Sequence, residues 1–180
     1  MRRKRREAPS GPLRVARRSG TRLIPQGAVL PRDPPPPVTR VLVATDGTER
    51  ATRAVAWAAD MAERYGAELL LLRVLAQQAP RGATRGIASA DATQAAYVAT
   101  DLARLASMLA GDRGRSLVVV AEDPAAAIVA VGEEEGADVI VVSNENMRGR
   151  REFLVTNVPN RVSHSAQCTV VIVDTGAGAR

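Results

Sequence analysis

A regular alternation of short apolar runs with longer helical segments constrains the fold more than any other feature of the sequence. The runs lie at residues 40–45, 68–74, 117–121, 139–142 and 169–173, and Val, Leu and Ile dominate them. They lack strict polar alternation, which is typical of strands covered on both faces. Because strand–helix alternation favours parallel pairing through right-handed crossovers, the chain is predicted to be an α/β protein with a parallel sheet.

The segments between the runs have helical spacing and recognisable ends. Helices are predicted at residues 49–65, 89–110, 124–135 and 157–165, and a loop at residues 77–88. Gly66, Gly111 and Gly136 follow the first three helices, where a left-handed terminus favours glycine. Thr48 is positioned to cap the first helix, and Pro124 suits the first turn of the third.

Positive charge is concentrated at the amino terminus. Residues 1–39 contain ten Lys or Arg against Glu7 and Asp33, a net charge of +8; since the whole chain carries +6, the remainder carries −2. Residues 1–38 lack hydrophobic periodicity and end in a run of prolines, which favours an extended segment. We therefore expect a disordered tail at residues 1–38, a folded domain at 39–175 and a disordered carboxyl terminus at 176–180.

The composition also restricts where the protein acts and what it binds. The single cysteine suits a reducing compartment, and no apolar run approaches the roughly 20 residues of a membrane span, so a cytoplasmic protein without a transmembrane segment is expected. A mildly acidic, aromatic-poor domain is not expected to bind nucleic acid. The basic tail has two open interpretations: a tether to nucleic acid or anionic membrane, or a solvated extension from an upstream start codon.

No arrangement of catalytic or metal-binding residues is recognisable. Ser163 and His164 are adjacent on a predicted helix, so they point in different directions and cannot form an activated pair. Glu133, Glu134 and Glu135 are expected to fan outward at a solvated helix end, and Cys168 to be an inert buried thiol. The sequence contains no glycine-rich phosphate loop of the common types, no nucleophile elbow and no zinc-ligand spacing.

Two ends of the domain carry a resemblance to a known family. Residues 41–48 and 66–74, joined by an Ala-rich helix, resemble the opening of universal stress protein domains, and residues 137–142 and 153–173 resemble that family's end. The resemblance covers residues 39–175. It implies a doubly wound five-stranded parallel sheet of order 3-2-1-4-5, which is Rossmann-like and similar to adenine nucleotide hydrolases. It also implies a homodimer formed through the last strand.

The resemblance further implies a ligand site beyond the carboxyl ends of the strands, where sites in such sheets lie. Family members that bind ATP hold the adenosine near the acidic residue after the first strand, which is Asp46 here. Thr48 and Val74 are the neighbouring candidates. Thr48 is also a natural cap, and an apolar Val74 requires no ligand to explain it.

The phosphates are held, in those members, by a loop with the pattern Gly, two residues, Gly, nine residues, Gly, then Ser or Thr. The corresponding residues here are Ser143, Asn146, Thr156 and Asn157, so all three glycines are replaced. Converging amides require close approach and often a positive φ, both of which glycine tolerates best; β-branched Thr156 is the least suitable substitute. The loop is therefore predicted to be degenerate, and ATP to bind weakly or not at all.

Together these features predict a non-enzymatic stress-response module that acts by binding or interaction, with a protein as a candidate partner, and whose ATP phosphate loop is degenerate. The alternative is a sensor that binds ATP or another adenine nucleotide in a modified loop, with slow hydrolysis. Arg148, Arg150 and Arg151 could supply charge-assisted contacts to an anion there. The helix that begins near Asn157 would offer its positive amino terminus.

Overall fold

The computed structural model describes residues 36–76, 87–144 and 157–175. Within them, five strands form one sheet: β1 (Arg40–Ala44), β2 (Glu68–Ala76), β3 (Gly114–Ala121), β4 (Val139–Asn144) and β5 (Thr169–Asp174). All neighbours pair in parallel and the order is β3-β2-β1-β4-β5. The predicted fold and strand order are confirmed, and the order reverses between β1 and β4.

In the described part of the chain, four α-helices cover the two faces of the sheet: α1 (Thr52–Tyr65), α2 (Ile87–Ala110), α3 (Pro124–Glu134) and α4 (Val158–Ser165). Val41, Val43, Leu69 and Leu71 point to a core shared with α1 and α2, while Leu42, Leu70, Leu72 and Ile140 belong to the core under α3 and α4. Successive strand residues therefore enter opposite cores, which explains why these runs show no polar alternation.

The predicted helix ends are largely confirmed. Gly66 and Gly136 adopt φ of +66° and +63° after α1 and α3, and Gly111 adopts +57° after α2, where it opens a short 3₁₀ helix, Gly111–Arg113. Pro124 lies in the first turn of α3. Asp123 caps that helix through its side chain, which accepts hydrogen bonds from two backbone amides.

The start of α1 differs from the prediction. The helix begins at Thr52 with Ala51 as its N-cap residue and no side-chain cap, rather than at residue 49 under a Thr48 cap. Thr48 is occupied elsewhere, because its amide and hydroxyl both donate to Asp46 Oδ1. Its own oxygen accepts a 3.3 Å hydrogen bond from Ala51 N, so it supports the turn before the helix.

Several elements run further than their apolar cores suggest. α2 begins at Ile87, two residues before the predicted start. β3 begins three residues early at Gly114, β2 continues to Ala76, and β4 and β5 end at Asn144 and Asp174. Beside each extended strand, the neighbouring strand extends as well, so backbone pairing continues through polar residues. Arg115, for example, pairs with Leu70. Apolar runs mark where strands are buried rather than where their hydrogen bonds stop.

The amino-terminal edge of the sheet is held by charged groups. Asp138 Oδ2 accepts hydrogen bonds of 2.7–2.9 Å from the amide and hydroxyl of Thr39 and from Arg40 N. The Thr39 amide is the main cause of a lowered Asp138 pKa. Glu68 forms ion pairs with Arg40 and Arg115. These contacts join the starts of β1, β2 and β4, at the edge opposite to the one where the sequence predicts a ligand site.

Some predictions lie outside the described residues. The basic tail up to residue 35, residues 77–86 of the predicted loop, the segment 145–156 and the carboxyl terminus from 176 belong to this group.

Val38 precedes β1 and packs against the core shared with α1 and α2. Among the described helices, none combines the length and apolar character needed to cross a membrane.

Candidate ligand site at the carboxyl edge of the sheet

The candidate site lies where β1 and β4 end side by side. Ala44 pairs with Val142, and Thr45 N extends the ladder by donating to Leu72 O at 2.9 Å. Because parallel strands share one carboxyl edge, the turn after β1, the end of β4 and the start of α4 converge there. This edge is also where the strand order reverses, which is the usual ligand position in doubly wound sheets.

A compact polar turn follows β1. Asp46 Oδ1 accepts hydrogen bonds from Thr48 N at 2.9 Å and Thr48 Oγ1 at 2.7 Å, which is an Asx-type turn. Gly47 N donates to Thr45 Oγ1, and Gly47 has φ of +73°, a conformation that favours glycine. Asp46 is exposed, and its Oδ2 accepts no hydrogen bond from another described residue. The turn therefore presents one carboxylate oxygen to a ligand.

The Asp46 carboxylate is stabilised in its charged form. Partial burial acts to raise its pKa, but two hydrogen bonds from Thr48 and the positive charge of Arg73 outweigh it, so the pKa lies below the ordinary value of 3.8. A carboxyl group whose pKa lies below its ordinary value is an ionised hydrogen-bond acceptor at neutral pH and a poor general base. This electrostatic setting suits binding rather than proton transfer.

The end of β4 is tied to the start of α4. Ser143 is paired with Val173, and Asn144 O accepts hydrogen bonds from the amide (3.0 Å) and hydroxyl of Thr175. Asn157 Nδ2 donates to Asn144 Oδ1 at 3.3 Å. Ser143, predicted to open the loop, thus lies within the strand, and that prediction of the strand end is wrong. The two residues flanking segment 145–156 are joined through their side chains.

The start of α4 is a weakened anion site. Asn157 is its N-cap residue, but its side chain bonds Asn144 instead of the helix amides. Pro159 lies in the first turn and has no amide hydrogen, so one donor of that turn is missing. A phosphate approaching this helix would meet fewer amides than at a helix start without proline.

Val74, predicted to assist the turn after β1, lies on β2. It is half-buried and packs against the core under α3 and α4. β2 continues two residues beyond it to Ala76, so the prediction that Val74 ends the strand is wrong. Since Leu72 pairs with Ala44, Val74 stands level with Asp46 in the register. Its role as an adenine contact remains a prediction.

Sequence reasoning missed Arg73. Its guanidinium fills the space beside Gly47, where an added Cβ would lie well inside 3.0 Å of Arg73 Nη1. Arg73 Nε is buried and has no hydrogen-bond partner. The signal was available, because Arg73 is the one charged residue inside an apolar run of leucines and valines.

The remaining candidates divide into those the structure describes and those it does not. Asn146, Thr156 and the three arginines at 148, 150 and 151 lie outside the described residues, and their roles remain predictions. Ser163 Oγ donates to Asn160 O, and His164 lies in the last turn of α4. Cys168 is half-buried rather than fully buried, and that burial raises the pKa of its thiol. Over the described ranges, no cluster of His, Cys, Asp or Glu could hold a metal ion.

Comparison with known proteins gives a consistent assignment. The model of the universal stress protein family matches residues 37–174, whereas no curated protein matches the chain. A solved universal stress protein in complex with cAMP is 26% identical, with a TM-score of 0.60 over 77% of this chain and 99% of that chain. A family protein from Burkholderia pseudomallei is 25% identical, with a TM-score of 0.58 over 78% and 98%. The Archaeoglobus fulgidus protein in complex with dAMP is 21% identical over 76% and 98%, and its TM-score of 0.52 reflects the shared fold.

Proposed function

The chain belongs to the universal stress protein family, and we propose that it is a non-enzymatic stress-response module that binds an adenine nucleotide with a single phosphate. The site is the carboxyl edge of the sheet, and the compartment is the cytoplasm. The observation that carries the proposal is the contrast within this edge. The Asp46–Thr48 turn is fully formed, whereas Ser143, which corresponds to the first glycine of the family's phosphate loop, lies within β4.

The Asp46–Thr48 turn supports the nucleoside part of the proposed ligand. Asp46 offers an exposed, ionised acceptor held in position by two hydrogen bonds from Thr48. Such an acceptor suits a ribose hydroxyl or an exocyclic amine. The relative solved with cAMP, which is 26% identical along almost its whole length, makes an adenine nucleotide the most direct choice.

The end of β4 and the start of α4 favour a ligand with a single phosphate. Ser143 lies within β4, level with Val173 on β5, so the chain continues along the sheet at this position instead of turning into a loop. Pro159 removes an amide from the start of α4, and Asn157 is bonded to Asn144. A triphosphate needs many converging donors to offset the desolvation of its charges. The described edge supplies few of them, which favours a nucleotide of lower charge.

The proposal is tested by calorimetric titration of the purified full chain with AMP, cAMP, ATP and GMP. AMP or cAMP is expected to bind at least about tenfold more tightly than ATP, which corresponds to roughly 1.4 kcal/mol. GMP is the control for base recognition and should bind more weakly than AMP. Micromolar binding of ATP, or release of phosphate from ATP above the rate without protein, would contradict the proposal.

We also propose that the protein forms a homodimer through β5. This strand ends the described sheet, so its outer backbone edge is unpaired among the described strands, and such edges are usually covered. Ile172 on β5 is 37% exposed, which leaves apolar surface at that edge.

Sedimentation velocity tests the dimer with a matched pair of variants. Ile172→Lys places a charge on β5 and should raise the dimer dissociation constant by about tenfold or more. Val120→Lys makes the same change on the opposite edge strand β3, where Val120 is 59% exposed, and should have no effect. A wild-type chain that sediments as a monomer at high concentration would refute this interface.

A further inference from the structure

We infer that Arg73 is the residue that recognises the phosphate of the nucleotide, an inference that rests on the proposed function. Arg73 lies on β2 one residue past Leu72, the partner of Ala44, so it stands beside the turn that follows β1. It points to the face covered by α1 and α2, as its neighbours Leu69 and Leu71 do. From there its guanidinium reaches Gly47 and the field of Asp46.

The guanidinium is placed at the edge by the shape of the turn. Nη1, Cζ and Nη2 all lie within 3.5 Å of the position that a Gly47 Cβ would occupy, so the group fills the space left by the missing side chain. Only Nε is a buried atom without a partner. Neither terminal nitrogen forms a hydrogen bond within the described residues, so both retain donors that a ligand could use.

The unpaired Nε makes arginine a costly residue at this position, although its charge stabilises the Asp46 carboxylate. A buried nitrogen without a hydrogen-bond partner destabilises the folded state, and such atoms are uncommon in native structures. A methionine would fill much of the same space without leaving a polar atom unpaired. A buried polar atom left unpaired in the folded state makes Arg73 a candidate for a functional contact.

The charges at the edge show what that contact is. Asp46, Asp123 and Asp174 all lie at or just beyond strand ends here, and their negative charge would repel a phosphate. Arg161 is already paired with Asp123, and Arg53 Nη1 donates to the carbonyl of Asp174. Arg73 forms none of the ion pairs found in the described residues. A guanidinium with two open terminal nitrogens matches a phosphate, and it would supply the charge that a glycine loop supplies through amides.

The inference is tested by titrating adenosine and AMP into the full-length wild type, Arg73→Met and Arg73→Lys. Arg73→Met should weaken AMP by about tenfold or more, down to the affinity of adenosine, and leave adenosine within about twofold. Arg73→Lys keeps the positive charge but lacks the two parallel N–H donors of a guanidinium, so its affinity for AMP should lie between those of the wild type and Arg73→Met. Arg64→Met is the control, because Arg64 pairs with Asp60 on the exposed side of α1 and should not affect either ligand.

The outcomes separate this inference from the function on which it rests. If Arg73→Met weakens adenosine and AMP equally and lowers the thermal unfolding temperature, Arg73 only supports the Gly47 turn, and the inference fails while nucleotide binding stands. Unchanged AMP binding by Arg73→Met also overturns it. If the wild type binds neither AMP nor adenosine, the proposed function itself is wrong and the inference falls with it. An unfolding temperature that is unchanged or higher in Arg73→Met, with a selective loss of AMP, supports the phosphate contact.

Discussion

Gly114→Ala is expected to lower the free energy of unfolding by about 3 kcal/mol, the upper end of the usual cost of overpacking. Gly114 begins β3 and lies directly against α2, where an added Cβ would meet the carbonyl oxygen of Ala106 well inside 3.0 Å. That obstacle is backbone and cannot rotate away. α2 cannot retreat freely either, because Leu102 and Ala106 are buried in the core beneath it.

The neighbouring Gly111 provides a matched control for this substitution. It has φ of +57°, but an added Cβ would meet nothing within 4 Å, so Gly111→Ala should cost only the left-handed conformation, about 1 kcal/mol. Gly114 has an ordinary extended backbone at φ of −88°, so its cost is steric alone. Urea unfolding of the two variants beside the wild type measures both. Equal, small losses would show that α2 and β3 are packed more loosely than described.

The sheet could be predicted from the sequence because two independent signals indicate its strands: the apolar runs themselves and the helix-end residues between them. Each apolar run is buried on both faces, so it reads as a continuous stretch of Val, Leu and Ile; Leu69 and Leu70, for instance, enter opposite cores. The first three helices between the runs are each followed by a glycine, such as Gly66, and the third also begins at a capping residue, Asp123. The apolar runs and the helix-end residues therefore indicate the same elements. Together with the family resemblance, they predict parallel pairing and the strand order.

The boundaries were harder to predict because they depend on contacts between distant residues. Ser143 and Asn144 stay in β4 since Val173, Asp174 and Thr175 continue alongside them, which a local pattern does not reveal. Thr48 resembles a helix cap in sequence, yet Asp46 engages both of its donors and delays the helix to Thr52. Competition between two local hydrogen bonds of similar strength is not decided by residue type.

The sequence predicted only those residues of the candidate site that lie close together in the chain. Asp46 and Thr48 are neighbours in sequence, and the turn brings them together as expected of such residues. Arg73 is 27 positions beyond Asp46 in the sequence, and its place beside Gly47 results from the pairing of β1 with β2. A charged residue inside an apolar strand was the available sign, but only the register shows which turn it reaches.

Asp46→Ala is expected to weaken AMP binding by roughly 10- to 150-fold, the equivalent of about 1.5–3 kcal/mol for hydrogen bonds to a charged group. The variant removes the acceptor offered to the ligand and frees both donors of Thr48, so the turn loses its shape as well. Asp46→Asn separates these effects, because an amide oxygen can still accept from Thr48 but carries no charge. Asp60→Ala on α1 is the control, since Asp60 contacts Arg64 and lies on the exposed helix surface. Unchanged AMP affinity in Asp46→Ala would remove this turn from the site.

The pH dependence of binding checks the same residue without a substitution. The Asp46 pKa lies below its ordinary value of 3.8, so the carboxylate is ionised throughout the neutral range and its contribution is lost only as pH falls through that lowered pKa. cAMP is the suitable ligand, because its phosphodiester has no second ionisation near neutrality. Its affinity should therefore stay constant from about pH 8 to about pH 5 and fall only in more acidic solution. A decline that begins between about pH 7 and about pH 6 would instead indicate a group with a raised pKa, and Asp46 would not be the carboxylate that holds the ligand.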